Sequence, residues 1–246
     1  MIIAHLAFEK DALLACRLTC RSWYIAAAPH LHHTLITPFF HEDRKAWWPP
    51  SFRDMRKLGL FPLVKKLQIQ GLMTSSLFKP IAFSPKLFDP DVLRQFSSLT
   101  NVQELGIDHL DIPSFITAAR TYFNHFLPTV RSLALRQPRG SRLQIVFFIG
   151  LFEHLEDLHL LFGSQFQEEP PDLLPLVPRF TPPLRGRLTM KSFVQVGIGE
   201  DLINSFGGIR FRHVDLVTVD GMQLVLEACA DTLETFRFDP SDPLSE

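Results

Sequence analysis

"VRSLAL", Val130–Leu135, places apolar residues at its first, fourth and sixth positions, with Arg131, Ser132 and Ala134 between them. Alternation over its second half reads as a short half-buried strand. The same spacing recurs as "VKKLQI" from Val64, "VQELGI" from Val102, "LEDLHL" from Leu155, "FRHVDL" from Phe211 and "LETFRF" from Leu233. At 46% hydrophobic content a single match is expected by chance, so the recurrence carries the argument.

Successive starts are 38, 28, 25, 56 and 22 residues apart. The long gap contains "LRGRLTM" (Leu184–Met190), which fits the pattern with one register slip and divides the gap into two similar steps. Between the strand patterns lie apolar segments of helical character: "DVLRQFSSL" (91–99), "SFITAARTYFNHFL" (114–127), "RLQIVFFIGLF" (142–152) and "GMQLVLEACADT" (221–232). The repeating unit is strand, loop, helix. No unit of this size buries its own apolar face, so stacked copies share one core, strands on one side and helices on the other. The expected fold is α/β: a short N-terminal helical segment followed by an irregular solenoid of such units.

Composition narrows the function classes. A chain of 246 residues with 21% charged content supports a substantial core. Its 25 basic and 26 acidic residues leave a net charge of -1, which sets up no field to gather nucleic acid or an acidic membrane. Three cysteines, Cys16, Cys20 and Cys229, are too few for a disulfide framework and suit a reducing compartment, so a cytoplasmic or nuclear location is expected. "MIIAHLAFEK" lacks the basic start of a signal peptide. The longest uncharged stretch, Leu143–Phe152, has ten residues where a spanning helix needs about twenty; it reads as a core segment.

Three regions follow: a helical segment over 1–37, a connector over 38–60 and the repeats over 61–246. The connector holds "HEDRK", then Trp47, Trp48, Pro49 and Pro50, and consecutive prolines stop a helix. Trp47 and Trp48 pack the connector onto the repeats or anchor a partner. A second proline-dense stretch, "QEEPPDLLPLVPRFTPP" (167–183), reads as an extended loop across the stack.

In the N-terminal stretch, Leu13, Leu14, Leu18, Cys16 and Cys20 set apolar surface at helical spacing, with Arg17, Arg21 and Ser22 between. Taken alone, such a helix is core, its thiols acting as small hydrophobes. A zinc site would need Cys16 and Cys20 to join two of His30, His32 and His33, but Cys-x3-Cys is not the common knuckle spacing and adjacent histidines diverge. No metal is expected.

"IIAHL", "ALLACRLTCRSW" and "AAAPHLHHTLIT", in that order, resemble the F-box of fungal-type F-box proteins, with Cys20, Arg21 and Trp23 on the family's Cys-Arg-x-Trp at the end of a docking helix. No Leu-Pro-x-Glu-Leu stretch precedes "IIAHL", so the resemblance is to an N-terminally truncated F-box. It implies that Leu6, Leu14, Leu18, Cys20 and Trp23 make apolar contacts within the helical bundle and with the adaptor Skp1, Arg21 lying polar at the edge, and that "PHLHHTLI" leads into a first strand. The apolar-x-x-Leu-x-Leu units resemble leucine-rich repeats, though "VKKLQIQGL", "VRSLALRQP" and "LEDLHLLFG" lack the usual Asn or Cys after the strand. The 23 phenylalanines suit a stack filled with aromatic rings.

Together these resemblances imply a substrate-recognition subunit of an SCF-type cullin ubiquitin ligase, with Skp1 at one end and an unidentified client on the repeats. The alternative is a non-catalytic repeat scaffold without Skp1 docking. Candidate client contacts are the residues between the apolar strand positions: Lys65, Lys66, Gln68, Gln103, Glu104, Arg131, Glu156, Asp157, His159, Arg212, His213, Glu234 and Arg237. Their charge alternates from unit to unit, which favours a protein surface over a polyanion. No cofactor, nucleic acid or membrane partner is expected. No nucleophile elbow, phosphate loop, His-Glu-x-x-His or calcium loop occurs, and "GIGEDL" (197–202) lacks the third glycine of a dinucleotide fingerprint and reads as a turn before a helix. No enzymatic role follows.

Overall fold

The computed structural model describes residues 9–39, 55, 57–71, 96–162, 183–192, 197–217 and 221–239. Over these the chain is α/β, built on one sheet of eight parallel strands. The strands are β1 (Thr34–Phe39), β2 (Lys66–Gly71), β3 (Glu104–Asp108), β4 (Ser132–Arg136), β5 (Asp157–Phe162), β6 (Leu184–Ser192), β7 (Ile209–Leu216) and β8 (Thr235–Phe238). Each lies beside its predecessor in the chain. All six patterned segments and "LRGRLTM" are strands of this sheet.

Pairing in parallel register turns the repeated pattern into rows. Leu35, Leu67, Leu105, Leu133, Leu158, Leu188, Val214 and Phe236 lie side by side across all eight strands. Ile69, Ile107, Leu135, Leu160, Met190, Leu216 and Phe238 make a second row. Alternation puts both rows on one face, and that face carries the main core.

The entry to each strand is tied to the strand before it. The carbonyl of His33 accepts from the N–H groups of Lys65 and Lys66, that of Lys65 from Gln103 and Glu104, that of Gln103 from Arg131 and Ser132, and that of Arg131 from Glu156 and Asp157. At the entries of β2 to β5 one carbonyl thus takes two donors, which pairs these N–H groups beside the buried apolar residue ahead of each strand.

Helices and turns cover the apolar face. They include α3 (Ile112–Ala118), which runs on as a π turn over Ala119–Phe123, α4 (Arg142–Ile149), α5 (Ile198–Ser205) and α6 (Met222–Cys229). Helix α4 starts with a capping box, Ser141 accepting from the Gln144 N–H while the Gln144 side chain accepts from the Ser141 N–H, which satisfies two donors that would otherwise be orphaned. "GIGEDL" is a turn at Gly197 leading into α5. Of "DVLRQFSSL", only the part from Phe96 falls within the described residues, and it forms a tight turn over Phe96–Ser98. Phenylalanine fills the space between helices and sheet: Phe126 meets Phe123 at 5.5 Å, Phe123 meets Phe96 at 5.1 Å and Phe115 at 5.5 Å, Phe115 meets Phe148 at 5.6 Å, and Phe148 meets Phe152 at 5.2 Å.

The register slip expected in "LRGRLTM" is a bulge between Gly186 and Arg187. Gly186 has φ +93, and a Cβ there would run into the Glu156 backbone carbonyl, so glycine is what lets β6 pass close to β5; the register changes on the other side, against β7, where Gly186 faces Phe211 and Arg187 faces His213.

The N-terminal segment is a helical hairpin, α1 (Lys10–Thr19) and α2 (Arg21–Leu31). It differs from the sequence expectation in two ways. Cys20-Arg21-x-Trp23 does not end a helix: Cys20 is extended (φ -161, ψ 168) and α2 begins at Arg21. The Thr19 hydroxyl donates to the Cys16 carbonyl at 2.7 Å, taking the acceptor that the Cys20 N–H would use in a continuing helix. The helical pattern also stops short of residue 37, because Thr34 onward is β1, paired with β2. The boundary at 37/38 therefore falls inside a strand of the sheet.

Candidate functional site

Two surfaces carry the residues singled out by the sequence. The first is the polar face of the sheet, opposite the core. Residues that alternate with the buried rows must point there. One such row reads Gln68, Gly106, Ala134, His159, Thr189, Asp215 and Arg237. A second reads Lys66, Glu104, Ser132, Asp157, Arg187, His213 and Thr235.

Where the first row shrinks to Gly106 and Ala134, the face holds a cavity of about 630 Å3 spanning β2 to β6, a volume typical of ligand sites. Gly106 has no positive φ, and a Cβ there would stand in ordinary contact with Gln68, its Cγ nearest at 3.5 Å. The turn chemistry that usually explains a glycine is therefore absent, and its effect is to leave open floor. Lys66 and Glu104 pair at 3.1 Å on one wall. Gln68 Nε2 donates to Asp108 Oδ2 at 2.7 Å, and Arg136 Nε stands 3.9 Å from Asp108 Oδ1, on another. His159 lines the same space, and burial, ahead of the opposing pulls of Asp157 and Arg187, holds its pKa below the ordinary value, so it is neutral near pH 7.

The sequence candidates divide. Lys66, Gln68, Glu104 and His159 line the cavity. Lys65, Gln103, Arg131 and Glu156 sit one step ahead of their strands, exposed, their backbones held in the strand-entry ladder. Arg131 pairs with Glu156 across neighbouring units, and Arg212 with Glu234 at 3.6 Å. Asp157 lies beside Ser132 and Arg187 but is not part of the cavity lining. His213 and Arg237 lie further along, His213 within 2.7 Å of the Thr235 hydroxyl and Arg237 in a smaller hollow. Gly106, Asp108, Ser132, Ala134, Arg136, Thr189 and Lys191 also line the cavity, together with Leu105, Leu135, Leu160 and Leu161, and none of the first seven was picked out from the sequence. Four of them were within reach, because Gly106, Ala134 and Thr189 hold the strand position of Gln68 and His159, and Ser132 that of Lys66 and Glu104.

The second surface is the hairpin. Leu13, Cys16 and Ala27 are buried with Leu31 packed against them, a cluster separate from the main core. Leu14 is half-buried. Leu18 is 79% and Trp23 40% exposed, with Ile25, Cys20 and Arg21 also exposed. Leu6 lies outside the described residues, as do Trp47, Trp48 and the proline-dense stretch before Pro183.

Cys16 is buried and Cys20 exposed, so the two thiols do not face a common point. No group of three or more metal-ligating side chains occurs among the described residues. Cys229 is buried, and burial pushes its thiol pKa up, away from the thiolate a nucleophile needs. Among the described residues no helix is long and apolar enough to cross a membrane. The chain matches no family model and no curated protein.

Proposed function

We propose that the chain is a substrate-recognition subunit of an SCF-type cullin ubiquitin ligase: an F-box-like hairpin that docks on Skp1, and an open leucine-rich-repeat-like solenoid that holds a client protein on its polar face. The observation that carries this reading is the apolar exposure of the hairpin. Of the residues that the F-box resemblance assigns to the bundle and to docking, Leu18, Cys20, Arg21 and Trp23 stand exposed and Leu14 is half-buried, while Leu13 and Cys16 fill the hairpin's interior. An isolated exposed leucine is ordinary, but Leu18 and Trp23 both stand in solvent on one small hairpin, which suits a partner.

The mechanism is proximity. The hairpin fixes the chain to the ligase, the sheet holds the client, and the transfer chemistry belongs to other subunits, so the gain is effective concentration of the client's lysines near the activated ubiquitin. The chain itself contributes no reacting group, and its place of action is cytoplasmic or nuclear.

Co-purification with Skp1 tests the reading. The unaltered chain is expected to hold Skp1, and Leu18→Ala with Trp23→Ala to weaken binding by about thirtyfold or more, the scale of a hot-spot residue, with the thermal melt unchanged. Skp1 binding retained by the folded double variant contradicts the docking surface. No binding by the unaltered chain replaces the ligase reading with a repeat scaffold that binds a protein without Skp1.

A further inference from the structure

The cavity on the sheet has an unmet hydrogen-bond requirement in its wall. Asp108, at the end of β3, is 8% exposed. Its Oδ2 accepts from Gln68, but its Oδ1 accepts no hydrogen bond. The nearest cation, Arg136 Nε, is 3.9 Å from Oδ1, beyond hydrogen-bond reach. Buried carboxylate oxygens are as a rule satisfied, and one that is not marks a place where a donor belongs. The Arg136 side chain is 59% exposed, so it has room to swing outward and admit one.

The floor sets the size of what enters. Gly106 and Ala134 are cross-strand neighbours, with Gln68 on one side and His159 on the other. Three strand spacings separate these flanks, about 14 Å, room for one side chain and the backbone that carries it. The charges set its polarity. Lys66 and Glu104 answer each other, leaving Asp108 facing Arg136, with Lys191 on the same rim. A carboxylate entering here is drawn to Arg136 but repelled by Asp108, and an ammonium is drawn to Asp108 but repelled by Arg136. A neutral group with a donor and an acceptor side by side meets neither repulsion.

We propose that this cavity is the client-recognition site and that it takes the carboxamide of an Asn or Gln side chain from an extended client segment, the amide NH2 donating to Asp108 Oδ1 and the amide oxygen accepting from Arg136. The inference rests on reading the polar face as the client surface and is independent of Skp1 docking.

The test uses the full chain and a positional-scanning array of nonapeptides, the central residue fixed and the others randomised, read by binding of the purified, labelled protein. Arrays fixed at Asn or Gln are expected to bind about tenfold or more above those fixed at Leu, Asp, Lys or phosphoserine, since a buried polar pair rejects ligands that leave it unpaired. Gly106→Val, which fills the floor, and Asp108→Ala, which removes the acceptor, are each expected to abolish the preference. Should Gly106→Val fail to fold, Asp108→Ala decides alone. No preference, no detectable binding, a preference for a charged residue, or an amide preference that survives Asp108→Ala overturns the proposal. Skp1 binding by the same preparation separates the outcomes: retained without an amide preference, only the cavity inference falls; lost with the preference intact, only the ligase reading falls.

Discussion

The sheet and the N-terminal hairpin use the same apolar residues to opposite ends. In the sheet, each of β2 to β7 adds two side chains to rows that run from strand to strand, and the core so formed is continuous from Leu35 to Cys229. In the hairpin, α1 and α2 bury Leu13, Cys16 and Ala27 between them and leave Leu18, Trp23 and Ile25 outside. Burial contributes in proportion to apolar area removed from water. Most of the fold's stability therefore resides in the sheet and its helices, while the hairpin leaves Leu18, Trp23 and Ile25 in water. Burial, not apolar character alone, marks what holds the molecule together.

The sharpest way to break this comparison is to remove one ring from the sheet's core. Phe148 is fully buried and packs edge-on against Phe115 and Phe152, so Phe148→Ala is expected to cost about 3–5 kcal/mol in a denaturant titration. A loss under about 1 kcal/mol would show that the phenylalanine chain is not the structural centre. Acidification comes next. Burial is the first cause lowering the pKa of His109 and His159 in the sheet region and of His32 at the end of α2. Arg139, Arg187 with Arg136, and Arg17 respectively add to it, while Asp108 opposes it at His109, and Asp157 and Asp215 oppose it at His159. Each imidazole thus takes its proton in the unfolded chain near the ordinary 6.5 and in the folded chain only at lower pH. Above that value both states are neutral and nothing is lost; below it the unfolded chain binds more protons, so stability falls as pH drops. Melting temperatures from about pH 7.5 down to about pH 5 are expected to decline, less steeply in His159→Gln; an unchanged slope would contradict the burial of His159. The smallest effect belongs to the hairpin: Leu18→Ser is expected to move stability by no more than about 0.5 kcal/mol in either direction, and a larger loss would place Leu18 in a core.

The strands were legible in the sequence because one face of the sheet is buried and the other is not, which forces the two-residue alternation seen in "VKKLQI" and "VRSLAL". The irregularity of β6 was legible too, because "LRGRLTM" carries one residue more than the pattern between its apolar positions, and the register against β7 shifts within it, between Gly186 and Arg187. The break at Cys20 was not legible: the apolar periodicity continues through it, and neither Gly nor Pro marks it. The candidate site was half legible. Lys66, Gln68, Glu104 and His159 stood out as polar residues in an apolar frame, whereas Gly106 and Ala134 create the cavity by what they lack. Asp108, Arg136 and Lys191 fall beyond the six-residue frame, at strand ends that only the register of neighbouring strands brings together.

Amide hydrogen exchange of the full chain, alone and with saturating Skp1, tests the division of labour most directly. Slowed exchange confined to Lys10–Leu31, with β2 to β7 unchanged, is the expected result. Protection on the sheet with none in the hairpin, or none anywhere, would contradict it.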